Sequence, residues 1–234
     1  MTETRRLYYE DVYKKEFTAT VVECRERKKG YAIILDESAF YPEGGGQPSD
    51  VGTLGDAKVT EVHEKDGELL HYTDKALEVG VKVEGKIDWT RRFDLMQQHS
   101  GEHMVSGIIH AKYGYDNVGF HMGGDVITVD LNGMLDEAQL AEIEQEVNER
   151  VWEDKEVQIT YPTAEELQAL DYRSKKELTG QVRIVTFPGV DVCACCGTHV
   201  THTGEIGMVK LLSVVKFRDG IRMEMICGKR VLDY

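Results

Sequence analysis

The sequence predicts an α+β protein, with a small N-terminal β-barrel followed by a domain that mixes helices with an antiparallel sheet. Three observations point there. Residues 7–88 carry short, partly alternating apolar runs separated by Gly and Asp; the apolar period lengthens to helical spacing from Arg91; and strand-like runs return before the C-terminus. The boundary is expected near residue 90, giving domains over 1–90 and 91–234.

In chain order, "FTATVVECRE", "GYAIILDES", "DAKVTEVHEKDGELLHYT" and "VGVKVEGKIDW" read as strands at the spacing of a small barrel or sandwich. Among them, "AFYPEGGGQPSDVG" puts Gly44, Gly45 and Gly46 in a row, which suits neither a strand nor a helix interior. "RRFDLMQQHSGEHMVSGIIHAKYG" reads as a helix of about twenty residues stopped by Gly114. "FHMGGDVITVDLN" is strand-like, and Leu135, Leu140, Ile143, Val147 and Val151 then recur at helical spacing with acids on the other face. "VQITYPTAEELQAL" predicts a strand and a short helix capped by Thr163, with Glu166 completing a capping box. "VRIVTF", "IGMVKLLSVVKF" and "GIRMEMIC" are the closing strands. The sequence shows no repeats and no low-complexity tracts.

A hydrophobic content of 41% and a charged content of 30% fit a globular chain, not a disordered one. No apolar run approaches the roughly 20 residues of a membrane span, so no membrane partner is expected. The N-terminus has no apolar stretch of signal-peptide type, so a cytoplasmic protein is expected. The net charge of −14 argues against non-specific coating of nucleic acid and leaves only a local basic face. Arg91, Arg92, Lys175, Lys176, Lys216, Arg218, Arg222, Lys229 and Arg230 are the candidates, each more simply read as a solvated surface charge.

The cysteine count is five, and Cys193, Cys195 and Cys196 crowd into "DVCACCGTHVTHTG" with His199 and His202. Such crowding favours metal or redox chemistry over a disulfide framework. On the predicted helix, His99 and His103 stand four apart and project from one face, the spacing by which a helix offers two nitrogens to one zinc. The spacing alone is weak, and "HSGEH" lacks the metalloprotease order because Glu102 precedes the second histidine. Two ligand sets are open. Cys195 and His199 could join His99 and His103, or Cys193, Cys196, His199 and His202 could form a self-contained knuckle. Only two residues separate Cys196 from His199, a tight span for four tetrahedral bonds of about 2.0–2.3 Å, which favours the first set.

"QQHSGEHMVS", "CCGTHV" and "FYPEGGGQPSDVG" occur in the order and spacing of the editing domain of alanyl-tRNA synthetase and its free-standing relatives, the AlaX proteins. The chain resembles that family over roughly residues 7 to 230, and "GIRMEMICGKRV" is similar to its final strand and turn. The resemblance implies one zinc ion on His99, His103, Cys195 and His199, with Cys196 standing where the family often has Gly. It implies a medium-length AlaX type, lacking an aminoacylation domain and an appended tRNA-binding domain.

The activity implied is trans-editing: hydrolysis of the ester that joins a wrong amino acid to tRNA(Ala), chiefly serine and in some members glycine. The chemical need is plain, because a pocket built for a methyl side chain discriminates at this scale by only about 1–3 kcal/mol. Four protein ligands usually close a zinc site, so either one position opens or the shell expands, or the metal mainly shapes the pocket while other groups assist the water. On this reading Gly44, Gly45, Gly46 and Gln47 lie against the substrate, and Thr128 donates its hydroxyl to a serine side chain. Glu102, His121 and Asp130 are general-base candidates by proximity in sequence alone. Arg91, Arg92, Lys216 and Arg222 are the expected contacts to the acceptor end of mischarged tRNA(Ala), and a homodimer is one open arrangement. The rivals are a zinc-stabilised RNA-binding module without catalysis and a zinc hydrolase of another ester.

Overall fold

The computed structural model describes residues 3–174 and 180–234. Its chain divides into two compact units, Met1–Leu95 and Met96–Tyr234. Lys175 and Lys176 lie outside the described residues.

The first unit opens with β1 (Arg5–Arg6) and a one-turn α1 (Leu7–Glu10), followed by β2 (Glu16–Glu26), β3 (Tyr31–Leu35) and β4 (Glu37–Ser38). Then come β5 (Gly52–Leu54), β6 (Ala57–Lys65), β7 (Glu68–Thr73) and β8 (Lys82–Ile87). Six of these close into an antiparallel barrel in the order β2-β3-β7-β6-β5-β8, while β1 pairs parallel with β4. The alternation in the sequence is the cause. Along β8 every second residue is buried, so Val83, Gly85 and Ile87 face inward while Lys82, Glu84 and Lys86 face water. Phe17, Val21, Ile33, Leu35, Leu54 and Val62 fill the interior.

The glycine run sits between β4 and β5. Gly44 and Gln47 exchange both backbone hydrogen bonds, at 3.1 and 3.0 Å, leaving Gly45 and Gly46 as the two central residues of a tight turn. Both have positive φ, +61° and +82°, which a primed two-residue turn demands and which glycine adopts without a Cβ penalty. The tip is exposed, whereas Gln47 is fully buried.

Inside the barrel, buried His71 donates from Nδ1 to the Ile33 carbonyl (3.0 Å) and accepts at Nε2 from the Ser38 hydroxyl (2.7 Å). Burial pushes its pKa down to about 4, despite the bond to Ile33. In the unfolded chain the group titrates near 6.5. Below that pH the unfolded state takes up a proton that the barrel refuses until about pH 4. Stability is therefore fully present above about pH 6.5 and falls between there and pH 4, by on the order of 3 kcal/mol. Urea midpoints at pH 7 and 4.5 should fall less for His71→Gln than for the unaltered chain. Parallel losses would mean that the folded barrel accepts the proton.

Helix α2 (Trp89–Tyr113) ends at Gly114, whose φ of +68° and bond to the His110 carbonyl (2.9 Å) form a left-handed cap. The second unit continues with β9 (Asn117–Met122), β10 (Ile127–Leu131), α3 (Glu137–Trp152), β11 (Gln158–Thr160) and α4 (Ala164–Ala169). It closes with β12 (Ile184–Phe187), β13 (Asp191–Ala194), β14 (Val209–Phe217), β15 (Gly220–Cys227) and α5 (Lys229–Asp233). The strands form a four-stranded antiparallel sheet, β14-β15-β10-β9, and a three-stranded one, β11-β12-β13. One strand-like run over 120–132 thus resolves into the β9–β10 hairpin. The Thr163–Glu166 capping box forms as the sequence predicts. Ile143, Val147 and Val151 are the buried stripe of α3, and its Asn148 side chain exchanges two bonds with the Val209 backbone (2.8 and 2.9 Å). Among the described residues no helix is long and apolar enough to cross a membrane.

Candidate metal centre

Two segments of the second unit build the centre. Helix α2 supplies His99 and His103, one turn apart, and the loop after β13 supplies Cys195 and His199. One nitrogen or sulfur atom from each lies within 4.8 Å of all the others, in a group that is otherwise buried and only partly open at Cys195. Cys195 Sγ is 3.5 Å from His99 Nε2 and 3.6 Å from His199 Nε2. A tetrahedral ion with bonds of about 2.3 Å to sulfur and 2.0–2.1 Å to nitrogen spaces such a pair by about 3.6 Å. Among the described residues, buried His103 Nε2 has no hydrogen-bond partner. The donor set therefore fits a borderline-soft cation bound by nitrogen and sulfur.

The helix comes close because it carries glycine where neighbours press. A Cβ at Gly101 would stand 2.2 Å from Cys227 Sγ, and one at Gly107 would stand 2.5 Å from the Val190 carbonyl oxygen. Gln98 clamps α2 onto β15, donating to the Cys227 carbonyl (2.9 Å) and accepting from its N–H (2.8 Å). Ser100 Oγ accepts from Val200 N–H at 3.1 Å, tying the ligand loop to the helix. Arg183 braces the loop's other side through the carbonyls of Cys195 (2.7 Å) and Gly197 (3.1 Å). Gly197 N–H points at Cys195 Sγ, 3.4 Å away.

Electrostatics favour the ligand forms of two of the four side chains. Burial alone would raise the Cys195 thiol, but His99 and His199 outweigh it and hold it well below its ordinary value. Burial pushes His199 down to about 3. His103 is also buried, yet its bond to Asp191 lifts it above the ordinary imidazole value. Burial would raise the Asp191 carboxyl; the bonds from His103 and Arg173 hold it down instead.

The alternative knuckle is not assembled. Cys193 is buried and grouped with His103 and Asp191, whereas Cys196 and His202 are exposed. The β9–β10 register pairs Phe120 with Val129 and His121 with Thr128. The Phe120 ring lies 5.3 Å from His99, so that face of the sheet is turned to the cluster. Successive strand residues point to opposite faces, so His121, Thr128 and Asp130 are turned away from it. Asp130 instead accepts two bonds from Arg222 (2.6 and 2.8 Å), whose guanidinium also lies 3.9 Å from the Phe217 ring centre.

Glu102 is buried and accepts from Ser106 Oγ (2.6 Å) and from Asn117 Nδ2, bracing the α2–β9 connection. Arg92 is fully buried in the first unit and bound to Asp50, so its guanidinium is not presented to RNA. Arg91 donates to the Ser49 carbonyl at 3.3 Å, and Lys216 is exposed. Sequence reasoning missed Asp191, Arg173 and Arg183. Asp191 stood inside the quoted cysteine stretch, but a lone carboxylate carries no spacing signal, and the two arginines carry none either.

Comparison with known proteins finds similarity along nearly the whole chain. Residues 182–222, which include Cys195 and His199, match the model described as threonyl and alanyl tRNA synthetase second additional domain. Residues 2–91 match the model of class II (A) tRNA synthetases. The alanyl-tRNA editing protein AlaX-L of Pyrococcus horikoshii is 35% identical over 97% of the chain, and alanyl-tRNA editing protein Aarsd1 of Mus musculus is 32% identical over 96%. Alanine–tRNA ligase of Methanobrevibacter smithii is 36% identical over 99% of the chain, which spans 28% of that protein. The chain spans 59% of the length of the mouse and Pyrococcus relatives. With matches along 96–97% of its length, the chain is similar to alanyl-tRNA editing proteins of the Aarsd1 and AlaX-L type.

Proposed function

We propose that this chain hydrolyses mischarged tRNA(Ala), chiefly Ser-tRNA(Ala), with one zinc ion held by His99, His103, Cys195 and His199 in a cytoplasmic trans-editing role. The observation that carries the reading is the four-ligand cluster drawn from α2 and the post-β13 loop, in a chain matched along 96% of its length by a protein named for alanyl-tRNA editing. Zinc there would supply Lewis-acid polarisation of an ester carbonyl. The residues themselves hold the site's shape: Gln98 and Ser100 fix the helix against β15 and the ligand loop, and Arg183 fixes the loop's carbonyls. In the reaction water adds to the acyl carbon, the ester C–O bond breaks, and free amino acid and a tRNA 3′-terminal hydroxyl leave. Gly44, Gly45 and Gly46 are kept as a proposed substrate contact, and Arg91 and Lys216 as proposed tRNA contacts.

The test is release of labelled serine from Ser-tRNA(Ala), with Gly-tRNA(Ala) and Ala-tRNA(Ala) alongside, by zinc-loaded and chelated protein. Serine should be released by the loaded protein alone, with Ala-tRNA(Ala) spared. No hydrolysis of any of the three by loaded protein would return the chain to a zinc-stabilised RNA-binding module.

A further inference from the structure

Beyond the four ligands, one buried chain of contacts leads outward from the cluster. His103 donates from Nδ1 to Asp191 Oδ2 at 2.8 Å, which leaves Nε2, buried and without a partner among the described residues, directed into the ligand group. Asp191 is itself gripped by Arg173, with Nε on Oδ1 at 2.7 Å and Nη2 on Oδ2 at 2.8 Å. The fork is not a chance surface pair: the side chains are 13% and 1% exposed. Arg173 is also fixed along its backbone, since its N–H donates to the Val192 carbonyl (2.8 Å) and its carbonyl accepts from Ala194 N–H (2.9 Å).

We infer that Asp191 and Arg173 are positioning residues for the metal ligand His103. Asp191 selects the tautomer that carries its proton on Nδ1, so Nε2 keeps a lone pair for the cation. The carboxylate also raises the basicity of the ring, as outer partners of ligating histidines do. Arg173 fixes the carboxylate's plane through a bidentate fork, which a lysine ammonium, as a single point charge, does not reproduce. This assignment rests on reading the cluster as a metal site.

The test uses the whole 234-residue chain in metal-free form. Zinc affinity is measured by competition with a chromophoric chelator, the visible d–d bands are recorded with cobalt(II), and the metal-free urea midpoint is measured alongside. Asp191→Asn should weaken zinc by about 10–100-fold and shift the cobalt bands, and Arg173→Lys should do both to a smaller degree. If Asp191→Asn does not fold, the Arg173→Lys result decides. Unaltered zinc affinity and cobalt bands in a folded variant would overturn the assignment. So would weakened affinity that only follows a lost urea midpoint with the cobalt bands unchanged, which is a structural role. Failure of the unaltered chain to compete with the chelator would overturn the metal reading itself, and this assignment with it.

Discussion

Cys195→Ala is expected to lose zinc affinity by more than the roughly 100-fold upper range of an outer-partner loss, and to lose zinc-dependent deacylation with it. Sγ is the only sulfur and the only anionic atom in the four-ligand group, and the short contacts to His99 and His199 both run through it. Three buried imidazoles would then face a divalent ion with no compensating charge, in surroundings where unbalanced charge is costly. The fold should survive, because Arg183 and Ser100 hold the loop through backbone groups and not through the thiol. Three readouts check this: chelator competition, labelled-serine release, and the rise in melting temperature on adding zinc, which binding to the folded state alone produces. The variant should show no rise, and its far-UV circular dichroism should match that of the unaltered chain. Retained affinity in Cys195→Ala together with lost affinity in Cys193→Ala would shift the site to the neighbouring group of His103, Asp191 and Cys193.

Much of this was legible before any coordinates. Strands were readable where a single face is buried, as along β8, because period-two alternation records which side meets the core. The helix carrying His99 and His103 was readable from its period and its glycine stop. The grouping of His99, His103, Cys195 and His199 was readable because two modest spacings, HxxxH and CxxxH, agree with one family pattern. What was illegible depended on register. Thr128, His121 and Asp130 lie close to the ligands in sequence and in the same hairpin as Phe120, but a one-residue offset in a strand reverses the face a side chain meets. The β13 strand is hidden for another reason: it has only four residues, and its Cys193 is a buried strand residue in a stretch whose crowded cysteines and histidines carry a metal signal. The "RR" pair read as surface charge because the partner that buries Arg92 stands 42 positions away.

That arginine supplies the largest stability effect expected. Arg92 donates through Nε to both Asp50 oxygens at 2.9 Å and through Nη2 to Asp50 and to the Ala39 carbonyl (2.7 Å), while Nη1 reaches the Val12 carbonyl (3.0 Å). Asp50 also accepts from Tyr41 N–H at 2.6 Å, and its own N–H donates to the Tyr41 carbonyl (3.0 Å), closing the loop that carries Gly45 and Gly46. Both charges are fully buried, so removing either leaves the other without its counter-charge. Arg92→Met and Asp50→Leu are each expected to cost about 3–5 kcal/mol, measured from urea midpoints. The double variant should cost well under the sum, because it leaves no stranded charge and the two positions share one network. The comparison also decides between the two roles of Arg92. A loss under about 1 kcal/mol in Arg92→Met, with weakened tRNA binding, would describe a solvent-reachable cation and restore it as an RNA contact. A large loss that the second substitution recovers describes a buried strut that holds the glycine turn in place.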